Sequence, residues 1–144
     1  MDCILLDTNV FVSATRSRAG ASWQLLNLAP QQKFRLALSV SLVTEYEDAA
    51  TRAHPNKTLS DADIEQLVSD LCSIAHLQEV YYLWRPFLRD SHDDHVLELA
   101  VAANCHCIVT YNLRDFAGVT RQFGIEILKP RQYLERLGET GGLL

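Results

Sequence analysis

Four carboxylates stand where a chain of this pattern could do chemistry: Asp7, Glu45, Asp94 and Asp115. Asp7 follows the apolar run Cys3-Ile4-Leu5-Leu6 and opens Asp7-Thr8-Asn9, the pattern of a central strand running into a polar turn. Asp94 stands at the head of a segment in which Val96, Leu97, Ala100 and Val101 repeat with the spacing of one buried helix face. Asp115 closes the loop after Cys107-Ile108-Val109, a run too short for a helix and too apolar for a loop. Glu45 falls in the first turns of a helix that directly follows a strand. Carboxylates converging on one pocket repel strongly unless hard cations neutralise them. An oxygen-only cluster of that kind suits Mg²⁺ or Mn²⁺, which activate water and stabilise charge on a phosphoryl group. Each acid also has an architectural role open to it. Asp7 suits a helix N-cap, Ser91-His92-Asp93-Asp94 suits a capping box, Asp115 could cap the turn before Phe116, and Glu45 has solvated neighbours in Glu47 and Asp48.

The elements that must position these acids alternate between the two periods. After strand one, a short helix is expected over Val10 to Ala14. Gly20 breaks the chain, and Ser22 opens a helix carrying Trp23, Leu25, Leu26 and Leu28 up to Pro30. Phe34, Leu36 and Leu38 alternate with Arg35 and Ala37 as a second strand. Ser41 is the expected cap of a helix whose apolar face is Leu42, Val43, Tyr46, Ala49, Ala50 and Ala53, ended by His54-Pro55-Asn56. Ser60-Asp61-Ala62-Asp63 reads as a capping box opening a long amphipathic helix. Leu77 to Leu83 is a third strand by its Val and Tyr content, Cys107 to Val109 a fourth, and Ile125 to Leu128 a fifth. Pro130 opens a last helix through Leu137. Strands alternating with helices imply a three-layer α/β fold with a central, mostly parallel five-stranded sheet flanked by helices. In such sheets ligands bind at the carboxyl ends of the strands.

The chain has 144 residues, which by size is one domain with a real core, here residues 1–138 followed by a flexible C-terminal tail at 139–144. No apolar run approaches a membrane span, and the start lacks the basic and apolar blocks of a signal peptide. Cys3, Cys72, Cys105 and Cys107 are irregularly spaced in apolar segments, the usage of reduced core thiols in a cytoplasmic protein. A net charge of −5 argues against nucleic acid as a partner, unless clustered acids hold divalent cations that reverse the local field. Cys105-His106-Cys107 lacks a second ligand pair for zinc and straddles a core strand. The sequence contains no Gly-rich phosphate loop and no Ser or Cys in a nucleophile setting.

Four pieces of the chain together resemble the PIN-domain superfamily, and within it the VapC-like toxins of toxin–antitoxin pairs. They are the apolar strand into Asp7-Thr8-Asn9, then Ser41-Leu42-Val43-Thr44-Glu45 after strand two, then Asp94 with its Ala-rich helix, and finally Ile108-Val109-Thr110-Tyr111-Asn112-Leu113-Arg114-Asp115-Phe116. The likeness runs from about residue 2 to about residue 137. It implies a metal-dependent endoribonuclease whose acidic quartet is Asp7, Glu45, Asp94 and Asp115, holding one or two Mg²⁺ or Mn²⁺ ions. Asp93 competes with Asp94 for the third place, and the family's spacing favours Asp94, which lies 21 positions before Asp115. Asn9, Thr110 and Asn112 fall on polar positions that support the acids in the family. Many relatives carry an acid where this chain has Asn112. The resemblance further implies an RNA substrate, a small cognate antitoxin as protein partner, and a homodimer. Apolar helices such as 22–28 and 61–76 are the candidate dimer surfaces. Arg16, Arg18 and Arg114 lie on loops at the same sheet end and are candidate contacts for RNA phosphates. His92 and His95 flank the acids, either touching substrate or solvated at the helix start.

Two other classes of function fit parts of the pattern. A catalytically silent PIN-like module would keep the acids for structure and act through protein partners. A phospho-acceptor signalling domain also clusters acids at strand ends but wants a lysine on a late strand end. Lys129 comes only after strand five and just before a proline.

Overall fold

The computed structural model describes residues 1–80 and 87–139. Its core is a parallel sheet whose first strand in sequence lies in the middle. Strand β1 (Cys3–Leu6) is buried at all four positions, as its unbroken apolar run requires. It pairs in parallel with β2 (Arg35–Leu38) on one side and with β4 (Cys107–Val109) on the other. Beyond β2 lies β3 (His76–Leu77), and beyond β4 lies β5 (Glu126–Leu128), which gives the order β3-β2-β1-β4-β5. Because every pairing is parallel, Asp7, Ser39, Thr110 and Lys129 all follow strands at one edge of the sheet. The strand order turns back on itself between β1 and β4, and the Asp7 N–H donates to the Val109 carbonyl at 2.9 Å across that junction. A crevice at such a switch point is where open parallel sheets bind ligands.

The helices fill the connections. They are α1 (Thr8–Arg16), α2 (Ala21–Leu28), α3 (Val40–Ala53), α4 (Asp61–Ile74), α5 (Ser91–Ala102), α6 (Val119–Phe123) and α7 (Pro130–Glu139). The capping box expected at Ser60 is present, with the Ser60 hydroxyl accepting from the Asp63 N–H and the Asp63 carboxylate accepting from the Ser60 N–H. The cap of α3 is Ser39 rather than the expected Ser41. Ser39 has extended backbone and its Oγ accepts from the Leu42 N–H at 3.1 Å, so the helix begins directly where β2 ends and Ser41 lies within its first turn. Helix α1 is longer at both ends than expected, because Asp7 caps it from the strand itself.

Strand β3 is shorter than the expected Leu77 to Leu83. Its partner β2 stops at Leu38, the Gln78 N–H takes the last carbonyl there, and Ser39 then turns into a helix, so the ladder runs out. Residues 81–83 of that expectation lie outside the described residues, as do residues 140–144 of the expected tail. Helix α7 continues to Glu139, two residues past the expected Leu137.

One aromatic pair fixes α1 and α3 to the end of β1. Phe11 and Tyr46 stack with ring centroids 4.6 Å apart, and the buried Tyr46 hydroxyl donates to the Leu6 carbonyl, one residue before Asp7. Helices α2 and α4 turn Leu25 and Leu26, and Ile64, Val68 and Leu71, into the chain's own core. The apolar faces expected to make a dimer surface are thus largely used within the fold. No helix among the described residues is long and apolar enough to cross a membrane.

Candidate metal centre

Asp7 is the anchor of the site because it serves two ends. Its Oδ1 accepts from the Thr8 N–H at 2.8 Å, which caps α1. Its Oδ2 accepts from the Thr110 hydroxyl at 2.8 Å, which ties β1 to the end of β4. The Asn9 amide reaches the same oxygen at 3.4 Å and Thr110 Oγ1 at 3.3 Å, and the Asn9 carbonyl accepts from the Tyr111 N–H. Asn112 joins through its backbone, donating to Thr110 Oγ1 at 3.1 Å. All three expected polar positions therefore gather round Asp7, two by side chain and one by main chain. The architectural and chemical readings of Asp7 are compatible, since an ionised carboxylate offers about four lone-pair sites and the hydrogen bonds from Thr8, Thr110 and Asn9 engage three of them.

The acids lie round a cleft of about 850 Å³ whose wall includes Asp7, Asn9, Glu45, His92, Asp93 and Asp115. Asp93, not Asp94, faces Asp7. Helix α5 is capped by Asp90, whose side chain accepts from the His92 N–H. That start sets the helical phase, and successive residues turn by about 100° round the axis. Asp93 is brought toward the cleft, and Asp94 is turned away. Asp94 Oδ1 instead accepts from the Phe87 and Leu88 N–H groups at 3.1 and 2.8 Å and holds the chain entering the helix. Asp94 thus has the local bonding role weighed for it, directed to residues 87 and 88 rather than to a capping box.

Asp7, His92 and Asp93 each offer an atom within 4.8 Å of the other two. His92 Nδ1 lies 2.6 Å from Glu45 Oε2, and His92 Nε2 lies 3.8 Å from Asp7 Oδ1. The charges act on one another. Burial, with the carboxylates of Asp7 and Asp115 added to it, pushes the Asp93 carboxyl up to about 6. The closeness of Asp7 raises the His92 imidazole above its ordinary value against the opposing effect of burial, and Glu45 and Asp93 add to the rise. Negative charge at this point is in excess, and a bound cation would relieve it. The donor set of two carboxylates, one imidazole and a further acid on an open cleft fits a divalent metal. Asp115, on the 3₁₀ turn Leu113–Phe116, is exposed at the cleft rim.

Of the three expected arginines, Arg16 lines the cleft. Arg18 stacks its guanidinium over the Trp23 ring, 5.5 Å from the centroid, and Arg114 is exposed on the 3₁₀ turn outside the cleft wall. Arg52 lines the cleft beside Arg16 and was not among the candidates. It lies seven residues after Glu45, two turns along the same face of α3, and that spacing was its available signal. His95 lines a neighbouring cavity with Glu98 and Val80, which Glu45 and His92 also border, and not the cleft that holds Asp7, Asp93 and Asp115. Cys105 and Cys107 are buried, and Cys105 Sγ lies 3.7 Å from Cys3 Sγ, so these thiols belong to the core.

Residues 3–114 match a family model described as PIN domain. Among solved structures the chain is similar to VapBC2 from Rickettsia felis, crystallised bound to a DNA fragment from their promoter. The TM-score is 0.56 at 14% sequence identity, covering 88% of this chain and 98% of that one. At that identity the likeness is one of fold. No curated protein matches the chain.

Proposed function

Because the chain belongs to the PIN-domain family, we propose that it is a metal-dependent endoribonuclease, the toxin of a toxin–antitoxin pair. The observation that supports this most is the meeting of Asp7, His92 and Asp93 at the switch point of the sheet, with Glu45 and Asp115 on the same cleft. Asp7 and Asp93 would hold the ion, and Asp115 would complete its surroundings from the rim, directly or through water. Mg²⁺ or Mn²⁺ bound there would supply a nucleophilic water and stabilise charge on the phosphoryl group and the leaving 3′-oxygen.

The chain's own residues then divide the remaining work. Thr110 and Asn9 fix the orientation of the Asp7 carboxylate through hydrogen bonds. Arg16 and Arg52, on helices α1 and α3 that border the same cleft, would hold RNA phosphates as a local positive pair in a chain whose net charge is −5. The promoter-bound VapBC2 assembly supports a small antitoxin as the partner that would regulate the activity in a cytoplasmic setting. A homodimer belongs to the same reading.

The test is cleavage of a structured RNA by purified protein with Mg²⁺, Mn²⁺ or EDTA, beside Asp7→Asn, Asp93→Asn and Asp94→Asn. Metal-dependent cleavage lost in the first two variants and largely kept in the third is the expected result. Equal loss in Asp93→Asn and Asp94→Asn would remove the distinction between them. A folded wild type that binds no metal would leave a silent interaction module instead.

A further inference from the structure

We propose that His92 is itself a ligand of the divalent ion, through Nε2, and that Glu45 holds it in place from the other ring nitrogen. The centre is then a mixed nitrogen–oxygen site that favours Mn²⁺ and its first-row neighbours over Mg²⁺. The proposal rests on the reading of this cleft as a metal centre and adds which ion it prefers.

The geometry of the imidazole carries the argument. Nδ1 lies 2.6 Å from Glu45 Oε2, an ion-pair contact that places the carboxylate against that ring nitrogen. With Nδ1 so engaged, Nε2 is the nitrogen directed at the acids. Its distance to Asp7 Oδ1 is 3.8 Å, too long for a hydrogen bond. It is within the roughly 4 Å that two ligands of one ion span when each lies about 2.0–2.2 Å from the metal. Asp93 offers the third atom of the same group. Ligating histidines characteristically donate their second N–H to a carboxylate, which fixes tautomer and ring orientation and raises ligand basicity. Glu45, on α3, is the carboxylate placed for this role, while His92 comes from the first turn of α5. Glu45 thereby acts on the ring rather than on the ion.

The consequence for metal choice follows from ligand softness. Mg²⁺ binds oxygen and dehydrates reluctantly, so it gains little from an imidazole. Mn²⁺, Fe²⁺, Co²⁺ and Zn²⁺ accept nitrogen, with affinity rising from manganese to copper and falling again at zinc. A single imidazole among carboxylates tilts the site toward those ions.

The experiment measures binding rather than turnover. Mn²⁺ is added to the purified full chain, to His92→Gln and to Glu45→Gln, and its electron spin-echo modulation is recorded for ¹⁴N coupling. Calorimetric titration with Mn²⁺ and Mg²⁺ gives the affinity ratio. Expected are ¹⁴N coupling in the wild type, its loss in His92→Gln, and a fall in Mn²⁺ affinity of about 10-fold or more in both variants with little change for Mg²⁺. Mn²⁺ bound without ¹⁴N coupling, at a ratio unchanged in His92→Gln, would overturn the assignment of His92 and leave the acidic centre intact. Failure of the folded wild type to bind either ion would overturn both the assignment and the metal centre on which it rests. The Glu45→Gln variant keeps His92, so its result separates loss of orientation from loss of the ligand.

Discussion

Thr110 Oγ1 donates to Asp7 Oδ2 at 2.8 Å, between residues 103 positions apart in sequence. Thr110 is fully buried and Asp7 nearly so, so the bond sits where water does not replace it. Thr110→Val keeps the shape and removes the donor. The expected loss is about 1.5–3 kcal/mol of stability, the range for a hydrogen bond to a charged group. Thr110→Ser should retain most of it. Urea unfolding of the three proteins in EDTA checks this, and equal midpoints would show that the bond contributes nothing.

The Tyr46 hydroxyl plays the same part for the strand end itself. Tyr46→Phe keeps the stack on Phe11 but leaves the Leu6 carbonyl without its side-chain donor. A loss of about 1–3 kcal/mol is expected from that orphaned group. Metal affinity should fall with it, since Asp7 is the next residue. Unfolding and metal titration on one preparation would separate the two effects.

Asp93 gives a pH dependence with a definite sign. Its folded carboxyl titrates at about 6, above its ordinary value of 3.8, so the folded state holds a proton that the unfolded state has lost. Stability of the metal-free protein should therefore fall as pH rises from about 4 to about 6 and then level off. Asp93→Asn should flatten that slope and stabilise the metal-free protein above it. Divalent metal should raise the melting temperature more at pH 7.5 than at pH 5. A slope that persists unchanged in Asp93→Asn would assign the titration elsewhere.

Glu98 is buried, with Oε2 lacking a hydrogen-bond partner among the described residues, on a second cavity of about 550 Å³ that also touches Glu45 and His92. Replacing it by an apolar side chain of similar length removes an unsatisfied buried group. Glu98→Met should stabilise the protein by about 1–3 kcal/mol in urea. A loss of that size instead would mean that the carboxylate is bonded in solution.

Much of this fold is readable from local patterns, and the exceptions have local causes. The runs Cys3–Leu6 and Cys107–Val109 allow only buried parallel strands, and Ser60 with Asp63 allows only a helix start. Asp93 and Asp94 defeat such reading because they are adjacent acids in one helical turn. Which of them meets Asp7 depends on Asp90 starting the helix, and spacing to Asp115 is blind to a rotation of one residue. Ser39 and Ser41 pose the same difficulty, resolved by where β2 ends. His92 is legible as a flank of the acids, but its approach to Glu45 is made only by the fold, and Arg52 is signalled only by its spacing from Glu45.

The middle strand of the sheet is the first one synthesised, and its neighbour β4 pairs through Leu5 with Ile108 and Leu6 with Val109. At about 5–20 residues per second, that partner leaves the ribosome several seconds to some twenty seconds after β1. Until then Asp7 has neither the Thr110 hydroxyl nor the Asp115 carboxylate near it. The orientation that Thr110 gives Asp7 thus waits on β4, and the centre is completed only after that strand has been made. A polypeptide halted before residue 107 would carry Asp7, His92 and Asp93 but lack both the Thr110 bond to Asp7 and the Asp115 carboxylate at the rim.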